Sequence, residues 1–310
     1  MIFRIDKTTF SGWSEWKRYR LIQAIFRNGH FVDGDVEVRK SIVEMFENEI
    51  KVWGRCFDFS SLHKKYLTTI VAKEIVDIDQ LILMASEKAR LLIENAPYEW
   101  PIHKAIITSY RKDNNPELRK VFAMVYEALD KKRLFCLHAG GVGHYDSLIA
   151  FEEKEHYWGD SFAKKHVIIF DRDTDGYSEY SDNQNALFKR FCAKNHTEVT
   201  EGDVYTLDQQ PYIWHVWCKR AIENYFSNQT YNRHKVQTNR LPSNRTERDY
   251  CKMSDFMDGY SKSMMAIITK GLSWVDFERE VPRKFQVVID GARQDVSEFQ
   301  LLLLKIAKII

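Results

Sequence analysis

The sequence predicts an α/β fold with a mostly parallel sheet flanked by helices, and three observations lead there. The run Val167-Ile168-Ile169-Phe170 is short and wholly apolar, as a strand covered on both faces must be. The stretch from Arg133 to Ala139 reads as a second strand and runs directly into Gly140 and Gly141. Around these runs apolar residues recur at helical spacing, so strands and helices alternate along the chain.

Length and composition set the outer bounds. The 310 residues suffice for one large domain or two ordinary ones with a sizeable core. Hydrophobic residues make up 44% and charged residues 29%, the balance of a soluble globular chain rather than a disordered one. A formal net charge of +2 leaves any basic surface to local patterning. The five cysteines are scattered and form no C-x-x-C pair, so neither a disulfide framework nor a zinc ribbon is expected. MIFRIDKTTF lacks the apolar segment of a signal peptide, and no apolar run reaches the roughly 18 residues of a membrane span. The expected location is the cytoplasm, with no membrane partner.

Taken in order, Trp13 to Phe26 has the spacing of an amphipathic helix with Ser11 as its N-cap, used for packing; Lys17, Arg18 and Arg20 are either a solvated face or phosphate contacts. His30 to Glu37 reads as a short strand and a glycine turn. A helix then carries Val38, Ile42, Val43, Phe46 and Ile50 on its apolar face. Thr68 to Ala96 shows repeated helical spacing, and Pro116 opens a helix that reaches Leu129. Gly140-Gly141 is a tight turn or a close approach to a ligand, and no P-loop, because the closing Lys-Ser/Thr is missing. After the Val167–Phe170 strand come a helix around Ala186–Cys192, a strand at Asp203–Leu207 and a helix through Trp217–Phe226. Residues 228–250 form a basic loop containing Arg233, Lys235, Arg240 and Arg245, either mobile and solvated or in contact with phosphate. Ser297 and Gln300 make a capping box for an apolar helix that must be buried in the core or against a partner.

The chemistry gathers where strands end. Asp171 and Asp173 follow the apolar strand and lie two apart, which on an extended chain points both side chains the same way. Two carboxylates held about 4 Å apart repel by roughly 4 kcal/mol at an effective dielectric near 20. A hard divalent cation such as Mg²⁺ relieves that repulsion, while an Asp-rich turn is the plain structural alternative. Asp33 ends an earlier apolar stretch, so parallel strands are expected to bring it to the same sheet edge as Asp171. Glu223 either faces that edge or pairs with Lys219 on a helix surface.

In their order, HFVDGDVE, a strand ending in Gly-Gly, VIIFDRDTDG and KRAIENYF resemble the Toprim nucleases of the OLD (overcoming lysogenisation defect) family and the related Toprim effectors of the PARIS anti-phage system. The likeness covers roughly 28–50 and 133–230. The family's acid-Gly-x-x-acid motif matches Asp33-Gly34-Asp35-Val36-Glu37, with Asp in place of the usual Glu. Its Gly-Gly turn matches Gly140-Gly141, its D-x-D pair Asp171 and Asp173, and its R-x-x-E-N-Y motif Arg220 through Tyr225. The resemblance implies a Toprim-like sheet in four parts. Residues 1–52 give the first helix and strand, 53–132 an α-helical insertion, 133–230 the remaining Toprim portion, and 231–310 a basic loop and helical extension.

It further implies phosphodiester cleavage with Mg²⁺ or Mn²⁺ held by Asp33, Glu37, Asp171 and Asp173, with Asp175 as a further ligand and Glu223 as a catalytic acid. Gly140, Gly141, Arg220, Arg233, Lys235, Arg240 and Arg245 would contact phosphate. The implied role is a toxic effector acting on DNA or tRNA in bacterial defence against phage, controlled by a separate ABC-type ATPase, since the chain has no Walker motif; a homodimer is compatible with it. The alternatives are a degenerate Toprim subunit that binds the ATPase or nucleic acid without cutting, motivated by Asp33, and a topoisomerase- or primase-type module. For the last, the companion catalytic domains are missing.

Overall fold

A computed structural model of the chain describes residues 1–47, 54–75, 77–155, 162, 164–176, 180–195, 204–206, 212–256, 261–270, 272, 277 and 284–310. The amino-terminal part runs β1 (Ile2–Ile5), α1 (Lys7–Gly12), α2 (Glu15–Arg27), β2 (Phe31–Gly34), α3 (Val36–Met45), α4 (Ser61–Tyr66), β3 (Thr69–Val71) and α5 (Ile78–Ser86). The middle follows with β4 (Ala89–Ile93), α6 (Ala96–Tyr110), α7 (Pro116–Asp130), β5 (Leu134–His138), α8 (Tyr145–Glu155), β6 (His166–Phe170), α9 (Asp182–Asn195), β7 (Val204–Thr206) and β8 (Ile213–Val216). The remainder holds α10 (Asn228–Arg233), α11 (Arg245–Tyr250), α12 (Met253–Phe256), α13 (Lys262–Ile268), β9 (Lys284–Ile289), β10 (Ala292–Ser297) and α14 (Glu298–Ile309).

Three sheets result. One has the order β2-β1-β3 and another β5-β4-β6-β8, and every pairing in both is parallel. In the third, β9 pairs antiparallel with β10 and parallel with β7. The fold is thus mixed α/β with parallel sheets flanked by helices.

The four-stranded sheet shows why its two inner strands, β4 and β6, carry apolar runs. Leu91 and Ile93 of β4 enter one hydrophobic cluster and Leu92 the other; Val167 and Ile169 of β6 share the first, Ile168 and Phe170 the second. Side chains alternate across a strand, so two covered faces demand an unbroken apolar run. All four strands point the same way, and their carboxyl ends form one rim.

Helix α14 is buried from Glu298 to Ile309 in the chain's own core. Its capping box forms as expected: Gln300 N–H donates to Ser297 Oγ at 3.3 Å and Ser297 N–H to Gln300 Oε1 at 2.8 Å. Cys56, Cys136, Cys218 and Cys251 are free thiols. No helix among the described residues is long and apolar enough to cross a membrane.

Five expectations change. The first helix is two, capped by Asp6 and Ser14, and Ser11 lies inside α1. Val38, Ile42 and Phe46 are buried as expected, but Val43 is exposed and Ile50 lies outside the described residues. Segment 53–132 is not wholly helical, because β3 and β4 lie in it and β4 is an inner strand of the main sheet. A strand buried on both faces has no period of its own, and so merged with the helical spacing around it. Trp217–Phe226 is no helix; past β8 it is loop with a single 3₁₀ turn at Ile222–Tyr225. Finally, 228–250 is not loop throughout, because α10 and α11 lie in it, and 231–310 is not only loop and helix, because β9 and β10 pair there.

Candidate active site

The rim of the four-stranded sheet carries an acidic cavity of about 420 Å³. Glu94 leaves the end of β4, Glu99 stands in the first turn of α6, Asp171 and Asp173 follow β6, and Glu223 sits in the 3₁₀ turn after β8; all five line it. In an open α/β sheet this is where ligands bind.

Each acid is held by backbone geometry. Asp171 Oδ1 accepts the Ile222 N–H at 3.0 Å. The carbonyls of Asp171 and Arg172 both accept from the buried amide of Gln184, at 2.6 and 2.5 Å. Arg172 turns away into the core, where its Nε donates to Trp217 O at 3.1 Å. Asp173 reaches the same cavity as Asp171, though not on an extended chain as expected. Its φ of +59° is left-handed, and its N–H donates to Arg220 O at 2.8 Å. Asp is among the few residues that adopt this conformation without glycine. Glu99 Oε1 accepts the Asn95 N–H at 2.7 Å, closing the start of α6.

Crowding these carboxyls raises their proton affinity. Burial, then the charges of Glu223, Glu99, Glu94 and Asp173, lift Asp171 well above the usual aspartate range. Burial, then the Asp173 charge, pushes Glu94 up to about 7, although a hydrogen bond from the Asp171 backbone opposes the shift. Burial and then Glu94 push Glu99 up to about 8. Glu94 Oε1 is buried and has no hydrogen-bond partner, a position that costs roughly 1–3 kcal/mol unless something occupies it.

The loop after β8 explains the spacing of Arg220-Ala221-Ile222-Glu223-Asn224-Tyr225. Arg220 Nη1 donates to Asp175 Oδ1, and Arg220 N–H to Asp249 O at 2.9 Å. Lys219 Nζ, almost fully buried, pairs with Asp249 Oδ1 at 2.8 Å and donates to Asn224 O at 2.9 Å. Asn224 Nδ2 holds the carbonyls of Arg248 and Cys251 at 3.1 and 3.0 Å. Tyr225 OH donates to Glu298 Oε2, and Glu298 Oε1 accepts the Cys218 N–H at 2.7 Å. The 218–225 loop is therefore laced to the start of α14 and to the carboxyl end of α11, after which Lys252 lines the cavity.

Several expected site residues lie elsewhere. Asp33 is on β2, in the other parallel sheet, where Arg4 Nε is 3.1 Å and Lys64 Nζ 3.6 Å from its Oδ2. It does not line the cavity, and it is not among the charges acting on Asp171. The reason is sheet membership: β2 does end in an acid, but it pairs with β1 and not with β6. Glu37 is an exposed residue of the first turn of α3, and Asp175 is exposed and paired with Arg220. Arg233, Lys235, Arg240 and Arg245 are exposed and outside the cavity lining, whereas Arg220 and Glu223 are in it.

Gly140 and Gly141 serve the turn and do not line the cavity. Their φ values of +82° and +120° suit glycine, and Gly140 N–H donates to Glu94 O at 3.0 Å. The motif thus supports the Glu94 backbone from the neighbouring strand.

Sequence reasoning missed Glu94 and Glu99. The available signal was the apolar run Leu91-Leu92-Ile93, preceded by Glu87-Lys88-Ala89-Arg90 and ended by Glu94-Asn95-Ala96-Pro97.

As a cation site the cavity fits by donor chemistry. Its acids are hard oxygen donors, the class Mg²⁺ prefers, and Glu94 Oε1 lacks any other partner. Among the described residues, no group of three His, Cys, Asp or Glu side chains is disposed to hold an ion as it stands. Neither a family model, nor a curated protein, nor a solved structure matches the chain.

Proposed function

We propose that the rim cavity is the active centre of a Mg²⁺- or Mn²⁺-dependent phosphodiesterase that cleaves nucleic acid, DNA or tRNA, on a Toprim-like sheet. The observation that carries this reading is the convergence of Glu94, Glu99, Asp171, Asp173 and Glu223 from three strand ends into one cavity. Glu94, Asp171, Asp173 and Glu223 would hold the cation. When bound, it supplies Lewis-acid polarisation of a phosphoryl oxygen and a more acidic water.

The chain's own residues do the rest. Ile222 N–H fixes one oxygen of Asp171. Glu99, raised to about 8 and fixed through Asn95, is placed to take or return a proton near neutral pH. Lys252 lines the cavity, where a phosphate oxygen needs a positive partner. The resemblance in motif order extends the proposal to an anti-phage effector governed by a separate ABC-type ATPase. The Glu expected at the first strand then corresponds to Glu94 at the end of β4, with Asn95 where the motif has Gly and the second acid five residues on instead of four.

The test is incubation with plasmid DNA and total tRNA, with Mg²⁺ and with EDTA. Cleavage with Mg²⁺ alone, lost in Asp171→Asn plus Asp173→Asn, is expected; cleavage unchanged in that double variant would refute the reading. One observation favours a subunit that binds without cutting: no three acids stand ready around a single point among the described residues. Robust wild-type cleavage ends that second reading.

A further inference from the structure

The acidic cavity has further lining residues whose chemistry a phosphodiester does not need. Besides the carboxylates, Tyr98 and Ile102 of α6, Met253 and Met265 line it. Ile102, Met253 and Met265 are buried and Tyr98 half-buried, so these four make an apolar patch in the lining. Methionines fill irregular space and pack against aromatic rings, and a tyrosine ring offers a stacking face.

Asn224 adds a fixed polar group. It lines the cavity and is only 2% exposed. Both hydrogens of its amide point at carbonyl oxygens, those of Arg248 and Cys251. Flipping the amide would set its oxygen against those two oxygens, so the orientation is determined by the network. Asn224 Oδ1 is left buried with no partner, an acceptor aligned with nothing in the chain.

An apolar patch, a tyrosine ring and one buried acceptor beside a phosphate-handling cluster match a flat heteroaromatic ligand with an N–H edge. We propose that this patch is a nucleobase subsite: one unpaired base enters it, donates to Asn224 Oδ1, and leaves its phosphate facing the carboxylates. The proposal rests on the phosphodiesterase reading of the carboxylates and names its substrate class, a nucleic acid with an unpaired nucleotide at the cut. A base inside a duplex has both faces stacked and its pairing edge occupied, so it cannot offer these contacts unless it leaves the stack.

Fluorescence anisotropy on the full chain tests this, with Ca²⁺ replacing Mg²⁺ so that strands are held without turnover. The probes are labelled short DNA and RNA strands of one sequence, the same strands with abasic residues, and their duplexes. Tightest binding is expected for an unpaired strand, with about tenfold loss on removing the bases or adding the complement. Tyr98→Ala is expected to weaken the intact strand about fivefold and the abasic strand not at all. The abasic arm uses the unaltered protein and stands even if that variant folds poorly. Equal affinity for intact and abasic strands, a duplex bound as tightly as either strand, or no binding of the strands overturns the subsite. Failure of the phosphodiesterase reading is seen elsewhere, as Mg²⁺-dependent cleavage that survives Asp171→Asn plus Asp173→Asn.

Discussion

Asp33 and Glu94 hold the same kind of position in this chain, each an acid at the carboxyl end of a parallel strand beside a helix. Asp33 lies against Arg4 and Lys64, two cations that are themselves half open to solvent. Glu94 lies among Asp171, Asp173, Glu223 and Glu99, with one oxygen buried and unmet. The first carboxylate is satisfied by its own surface, whereas the second has been surrounded by charge of its own sign. An acid at a strand end becomes a candidate site when neighbouring strands bring further acids to the same cavity.

The sharpest way to break this contrast is through activity. Asp171→Asn plus Asp173→Asn is expected to lower Mg²⁺-dependent cleavage by about 10³-fold or more, read by gel from initial rates, while Asp33→Asn stays within about twofold of wild type. Similar losses from both would erase the distinction.

Next in size is the buried Lys219–Asp249 pair that fixes the loop beneath Glu223. Removing one partner of a buried pair typically costs about 3–5 kcal/mol, so Asp249→Ala should sharply lower the urea midpoint. The solvent-facing Arg4–Asp33 pair lies in the range of about 0–1 kcal/mol, and Asp33→Asn should scarcely move that midpoint.

A third effect follows from the raised glutamates. In the unfolded chain both release their protons near 4.5; in the fold Glu94 and Glu99 keep theirs to about 7 and 8. The folded protein therefore holds more protons between those values. Its metal-free stability falls as pH rises through that window and levels off above about 8. Glu94→Gln removes part of the repulsion and should raise the metal-free Tm at pH 8.5 by about 2 °C, with a flatter melting profile between pH 5 and 8.5. A lower Tm at pH 8.5 would mean that Glu94 is stabilised there as an anion.

These tests bear on how much the sequence could reveal. The strand before Asp171, the glycine turn, the paired aspartates, Glu223 and the capped C-terminal helix were legible, because each depends on neighbours within a few residues. Glu94 was not. Its strand is covered on both faces, so Leu91-Leu92-Ile93 carries no alternation, and with Arg90 before it the segment reads as one more turn between helices. Asp33 misled for the opposite reason, since its strand is real and ends in an acid. Which sheet a strand joins is decided by pairing with distant segments, and nothing near residue 33 records that β2 pairs with β1.

The most direct measurement of the central claim is Mn²⁺ binding by calorimetry at pH 7.5 on wild type, Glu94→Gln and Asp33→Asn. The account predicts one saturable site in the wild type, affinity lowered at least about tenfold by the loss of a ligand in Glu94→Gln, and no change in Asp33→Asn. Binding that survives Glu94→Gln and is lost in Asp33→Asn would place the cation at the other sheet and contradict it.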